Sequence, residues 1–255
     1  MKLDWKDVLW VFFAFLILLL SGFVSGKEEG YKVKNVIFKV DGQGDILLAD
    51  QEVVKSALYA KMDSLEEKTL GQVNLTEIEY VINELSYVQR AEAYMNRQGY
   101  VHIDVLLKEP ILRVLPKGAR GYYIAQDGSM IEWMSKRTPR VAVATGNLIY
   151  GNVTDSLKIL ALETQNQNLF KMASALVSKS FLHAIVDEIQ YHDANHIDLV
   201  TNIGEARINV GNTEKLEQKL DKLELFYKEA YPTVGLDSYK EIDLRFEGKI
   251  YGKKR

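Results

Sequence analysis

The chain opens on an uncharged apolar run, Val8 to Val24, and afterwards alternates between the hydrophobic periods of strands and helices. As a helix those 17 residues span about 25 Å, the short end of what a bilayer core requires. Trp5 and Trp10 stand near its start, where interfacial aromatics belong. The rival reading is a cleaved signal peptide, for which Val24-Ser25-Gly26 supplies small residues at the cleavage position. The run is longer than a usual signal core, and the leader before it balances Lys2 and Lys6 against Asp4 and Asp7. We therefore expect an uncleaved transmembrane anchor over residues 8–26, with lipid contact through 8–24. Flanking charge leaves orientation open, because Lys27, Lys32 and Lys34 follow the run. Residues 1–7 are too few for a domain, so they are placed in the cytoplasm and the rest outside.

Behind a charged linker, residues 27–115 predict a β-α-α-β-β unit. Val36, Phe38 and Val40 alternate with polar neighbours as in a half-buried strand, which Asp41-Gly42 ends. Asp50 is placed to cap a helix carrying Val53, Val54, Ala57 and Leu58 on one face. Thr76-Glu77-Ile78-Glu79 reads as a capping box, followed by Ile78, Val81, Ile82 and Leu85 at helical spacing. A strand over Tyr87–Met95 then leads through Arg97-Gln98-Gly99 to Tyr100–Lys108, with Val101, Ile103, Val105 and Leu107 on one face. Glu109-Pro110 stops this ladder, since proline cannot donate to it.

Residues 116–251 predict a β-rich unit with flanking helices, and 252–255 a short tail. Tyr122-Tyr123-Ile124 and Met130-Ile131 flank Asp127-Gly128 as a hairpin. A helical segment around Leu169–Ser180 precedes strands through Ala184–Tyr191, Ile197–Thr201 and Ala206–Gly211. A helix over Thr213–Ala230 presents Leu216, Leu220, Leu223 and Phe226 as its apolar stripe. Tyr239–Tyr251 closes the unit as one strand, with Ile242, Leu244 and Phe246 on one face. Glu241, Asp243, Arg245 and Glu247 line the other. The fold class expected is thus α+β, anchored by one N-terminal transmembrane helix.

The β-α-α-β-β order behind a membrane helix resembles a POTRA domain, a module that docks other polypeptides. Several segments resemble the FtsQ/DivIB cell-division family: Val40-Asp41-Gly42, Val88-Gln89-Arg90-Ala91-Glu92-Ala93, and Lys108-Glu109-Pro110. Asp127-Gly128 with its flanks and Thr138–Gly146 follow in the family's order, and Ile242-Asp243-Leu244-Arg245-Phe246 is similar to the segment that ends its β domain. The resemblance implies a non-enzymatic divisome scaffold in the bacterial inner membrane. Its extracytoplasmic part would work at the septum and bind FtsB/FtsL-type coiled-coil proteins and other divisome membrane proteins. Little sequence follows the last strand, so we expect its outer edge to be open to a partner strand. The site residues expected are Ile242, Asp243, Leu244, Arg245, Phe246, Glu247 and Tyr251.

Composition narrows the alternatives. A formal net charge of -3 lacks the basic footprint of non-specific nucleic-acid binding. The absence of cysteine excludes disulfides, thiol catalysis and cysteine-bound zinc. Neither a Gly-rich phosphate loop nor a G-x-S-x-G elbow occurs, so no catalytic site and no cofactor are expected. His192 and His196 have the i, i+4 spacing of helical metal ligands, but they flank a turn between strands, where such a pair is not expected to converge. No metal site is therefore expected. Two other classes remain: a POTRA-bearing transport or assembly factor, and an anchored hydrolase using His183 near Asp187, for which no serine partner stands at a sharp turn.

Overall fold

The computed structural model describes residues 10, 12–18, 31–42, 48–134, 138–150, 156–230 and 238–255. The described part of the apolar run is helical at Trp10 and over 12–18 (α1). Its large side chains are exposed, Phe12 at 66% and Leu18 at 71%. Among the described residues no helix is long and apolar enough to cross a membrane. The leader 1–7 and most of the expected anchor lie outside them. The chain divides into two compact units, Met1–Gly42 with Ala49–Leu107, and Gln43–Leu48 with Lys108–Arg255.

In the first unit the element order is β1 (Asn35–Asp41), α2 (Gln51–Tyr59), α3 (Leu75–Asn83), β2 (Val88–Met95) and β3 (Tyr100–Leu107). β3 is central, parallel to β1 and antiparallel to β2. Alternation decides which face is buried: Val101, Ile103, Val105 and Leu107 turn to the core with Val54, Leu58, Ile78 and Ile82 of the helices. Asp50 caps α2 by accepting from Val53 N at 3.0 Å. The cap of α3 is Asn74, which accepts from Glu77 N at 3.2 Å, so the helix starts earlier than the capping box read at Thr76. Glu79 is thereby freed to accept from Ala93 N at 2.8 Å, tying the helix to β2.

The second unit is a mixed sheet with helices against one face. Its strands are β4 (Pro110–Val114), β5 (Tyr122–Ala125), β6 (Met130–Glu132), β7 (Ala142–Gly146), β8 (Val186–Asp193), β9 (His196–Thr201), β10 (Arg207–Gly211), β11 (Tyr239–Asp243) and β12 (Tyr251–Lys254). They lie in the order β12-β11-β10-β9-β8-β7-β4-β5-β6. The pairs β4–β7, β7–β8 and β10–β11 are parallel, and the rest antiparallel. The helices are α4 (Ser156–Val177), α5 (Ser180–Ile185) and α6 (Leu216–Leu225), the last continued by a π turn over Phe226–Ala230. Leu169, Met172 and Leu176 of α4 and Leu220 and Leu223 of α6 bury against Ile189, Leu199, Ile208 and Ile242 of the sheet. The molecule is thus α+β, as its sequence pattern predicts.

Three expectations change. The boundary expected after Leu115 falls at Leu107/Lys108, because Pro110–Val114 forms β4 and pairs with β5 and β7. Pro110 is the first residue of that strand, a position that needs no ladder N–H. The last strand is not continuous: β11 stops at Asp243, the chain turns at Gly248, and β12 returns antiparallel. Finally, His192 and His196 do converge. Tyr191 pairs with Ile197 and Asp193 with His196, and the irregularity between those pairs sets His192 beside His196, their ring centroids 4.3 Å apart.

Candidate functional site

The C-terminal hairpin contains all the site residues expected from the sequence, and the fold sorts them by what they can touch. Ile242 and Leu244 are 0% exposed in the core and offer a partner nothing. Asp243 and Arg245 pair with each other: Arg245 Nε donates to Asp243 Oδ1 at 3.0 Å and its terminal nitrogen to Oδ2 at 2.6 Å. The guanidinium holds the Asp243 carboxyl below the usual carboxylate range. Glu247 pairs with Lys215 at the surface. Phe246 and Tyr251 are half exposed and meet edge to face, ring centroids 4.7 Å apart.

The expectation that the segment from Ile242 to Glu247 forms an open edge fails on the register. Asp243 pairs with Tyr251, Ile242 with Gly252 and Glu241 with Lys253, so β12 covers the outer side of β11. The end of the sheet is β12, every residue of it exposed, and among the described residues no strand pairs on its far side. The pairing also says which backbone groups point outward. Leu244 N donates to Asn209 O of β10 at 2.9 Å, so Ile242 turns its groups to β10, and Glu241 and Asp243 turn theirs to β12. Tyr251, opposite Asp243, therefore turns its N–H and C=O inward, and Gly252 turns its own out. Beyond the irregularity between Tyr239 and Glu241, Arg255 N donates to Ser238 O at 3.4 Å, so the groups of Lys254 face out as well. Lys253, Lys254 and Arg255 make this edge cationic, a charge that discourages indiscriminate strand pairing.

Lys222 of α6 pins the connection between the two strands, a role that no sequence pattern signals. Its Nζ donates to the carbonyls of Leu244 at 3.2 Å, Phe246 at 2.6 Å and Lys249 at 3.3 Å. Burial lowers its pKa from the ordinary value, while Asp243 opposes that shift. A neighbouring cavity of about 500 Å³ is lined by Lys215, Lys219, Lys222, Arg245, Phe246 and Glu247, among others. Lys222→Met keeps the apolar stem but strands these carbonyls. It is expected to cost roughly 1–2 kcal/mol, a value reduced for solvent screening. Amide hydrogen exchange over residues 244–250 should quicken, while β8 and β9 keep their protection. Unchanged exchange there would show that the hairpin is held by other contacts.

The missed strand did leave a sign: Glu247-Gly248-Lys249 is turn chemistry, and Gly248 has a φ of +66°. A clean strand stop was legible there. A strand of Tyr-Gly-Lys-Lys was not, since exposure on both faces leaves no alternation to read.

No curated protein matches this chain. The family described as FtsQ/DivIB, C-terminal related, matches residues 109–252, which runs from the turn before β4 into β12 and takes in more than half of the chain. The chain therefore belongs to this FtsQ/DivIB-related family of cell-division proteins.

Proposed function

We propose that this protein is a non-enzymatic, membrane-anchored scaffold of the division machinery that receives an extended partner segment along the outer edge of β12. The observation that carries the reading is the end of the large sheet: an exposed strand beside a half-exposed Phe246–Tyr251 pair. Main-chain pairing to the outward groups of Gly252 and Lys254 would supply affinity, and side chains beside the strand would select the partner. Aromatics and arginine are the residue types that most often dominate such contacts. The cationic edge fits a partner strand bearing carboxylates, and on this reading an FtsB/FtsL-type division protein supplies that strand.

The exposed apolar residues of α1 support anchoring through residues 8–26: in water such a surface is costly, in lipid it is not. On this reading the protein sits in the inner membrane at the septum with both units outside. The first unit, with its β-α-α-β-β order, is a POTRA-like module that docks a further polypeptide.

The test is calorimetric titration of the full chain in detergent with the extracytoplasmic part of its cognate FtsB/FtsL pair. Phe246→Ala is expected to weaken binding by about tenfold, or about 1.4 kcal/mol, since its ring is exposed and removal leaves the core intact. Arg245→Glu should cost more, because it sets a second acid beside Asp243, breaks the pair that holds the end of β11 and reverses a charge next to Phe246. Unchanged affinity in both variants, with melting temperatures preserved, would remove the hairpin as the docking site. No binding by the wild-type chain would favour a transport or assembly role instead.

A further inference from the structure

We propose that His192, His196 and Asp198, at the tip of the β8–β9 hairpin, form a binding site for a divalent transition-metal ion of the zinc class. The three side chains share one face of the hairpin. His196 and Asp198 are two apart on β9, and His192 lies two beyond Gln190, the residue paired with Asp198. This is the face away from the helices, since Ile197 and Leu199 on the other face join the helix-packed core.

The distances suit one ion. His192 Nε2 is hydrogen-bonded to Asp198 Oδ2 at 3.2 Å, a bond that an ion would replace, and His196 Nε2 is 3.5 Å from Asp198 Oδ1. Tetrahedral bonds of about 2.0 Å hold ligand atoms roughly 3.3 Å apart. One ligand atom from each residue lies within 4.8 Å of the others, so a small closure completes the triangle. Imidazole and carboxylate together are donors that suit zinc, nickel and copper better than calcium or magnesium.

A second observation points to a cation independently of the spacing. The Asp198 side chain is 3% exposed, and its Oδ1 accepts no hydrogen bond. A buried carboxylate with an unsatisfied oxygen is costly unless a positive partner reaches it. Arg207 stops at 4.0 Å from Oδ2, with its side chain 58% exposed. It neutralises from a distance and leaves Oδ1 open. The histidines stand between the carboxylate and solvent, with His192 at 34% and His196 at 48% side-chain exposure, so an ion can enter from outside. The hairpin is held in shape without it: Asn195 N donates to Asp193 Oδ1 at 2.8 Å, and Asn147 Nδ2 to His192 O at 3.3 Å. The three residues leave a fourth coordination position open to water or to a donor from another molecule.

The full chain in detergent is titrated with Zn²⁺ by calorimetry, and with Co²⁺ while its visible absorption is followed, roughly one pH unit above the ordinary imidazole value of about 6.5. The expected result is saturable binding of one ion per chain, with the intense visible bands of four-coordinate cobalt. Asp198→Asn, which keeps the shape of the buried side chain, and His196→Ala, at an exposed turn, should each weaken binding by about tenfold or more. Arg207→Ala should strengthen it, because a competing cation is gone. His183→Ala, away from this hairpin, should change nothing. The proposal is overturned if Zn²⁺ shows no saturable binding, or if Asp198→Asn and His196→Ala bind as the wild type does.

Discussion

Gly252→Pro is expected to weaken binding of the proposed partner strand by at least about 100-fold, or about 2.7 kcal/mol. Three effects act together at this position. Proline removes the N–H that Gly252 turns outward to an incoming strand, and its ring occupies the approach. A Cβ at Gly252 would also lie 2.4 Å from Tyr239 Cε1, so the tyrosine ring must leave its place over the strand. That ring packs edge-on against Phe226, 5.9 Å away, and its displacement loosens β12 at its middle. Lys254→Ala supplies the contrast. It removes a charge but keeps the outward N–H, so its loss should be small and should fade as salt is raised. Strong loss in the first variant, with the melting temperature and the exchange protection of β11 retained, and weak, salt-sensitive loss in the second would identify main-chain pairing as the source of affinity. Comparable losses in both would mean that charge alone holds the partner. Native affinity in Gly252→Pro would end the strand-addition mechanism.

The parts of the fold that were legible are those in which burial is one-sided. β3 reads plainly because its four core residues alternate with His102 and Asp104, and the β5–β6 hairpin because Asp127-Gly128 sits between strand-forming runs. The parts that escaped each have a physical cause. Much of α4 was hidden because polar side chains sit in its buried stripe: Gln165 bonds both the N–H and the C=O of Ile149, and Asn168 accepts from Thr213 Oγ1. Such residues satisfy loops packed against the helix, and in sequence they break the apolar period. β4 was hidden because Pro110, a breaker inside a ladder, is harmless at the first position of a strand. The resemblance singled out the segment that holds the proposed docking residues, but not its geometry. The alternation through Phe246 implied one long strand, whereas Phe246 belongs to the connection and its exposure comes from the turn. The two histidines converge for a related reason. Spacing along a chain says little about a hairpin, where the register across the turn decides which residues meet.

The second large effect concerns the middle of the sheet rather than its edge. Gly146→Ala is expected to destabilise the large unit by roughly 3 kcal/mol, lowering its melting temperature by roughly 6–12 °C. Gly146 ends β7 with φ +105°, a conformation in which a side chain is strained wherever it stands. Here there is no space either, because the added Cβ would lie 2.3 Å from Tyr191 O. That oxygen cannot yield cheaply: it accepts from Asn147 N at 2.8 Å, and Tyr191 is paired with Gly146 across β7 and β8. β7 joins the two halves of the sheet, lying between β4 and β8, so a shift at this point propagates to both. Gly118→Ala separates the two causes. Its φ of +72° imposes the backbone cost, but nothing lies within 4 Å of the added Cβ, so only about 1 kcal/mol should be lost. Thermal melts of the two variants measure the difference directly. Equal destabilisation would mean that the close approach of Gly146 to Tyr191 contributes nothing, and that the glycine is required for its backbone angle alone.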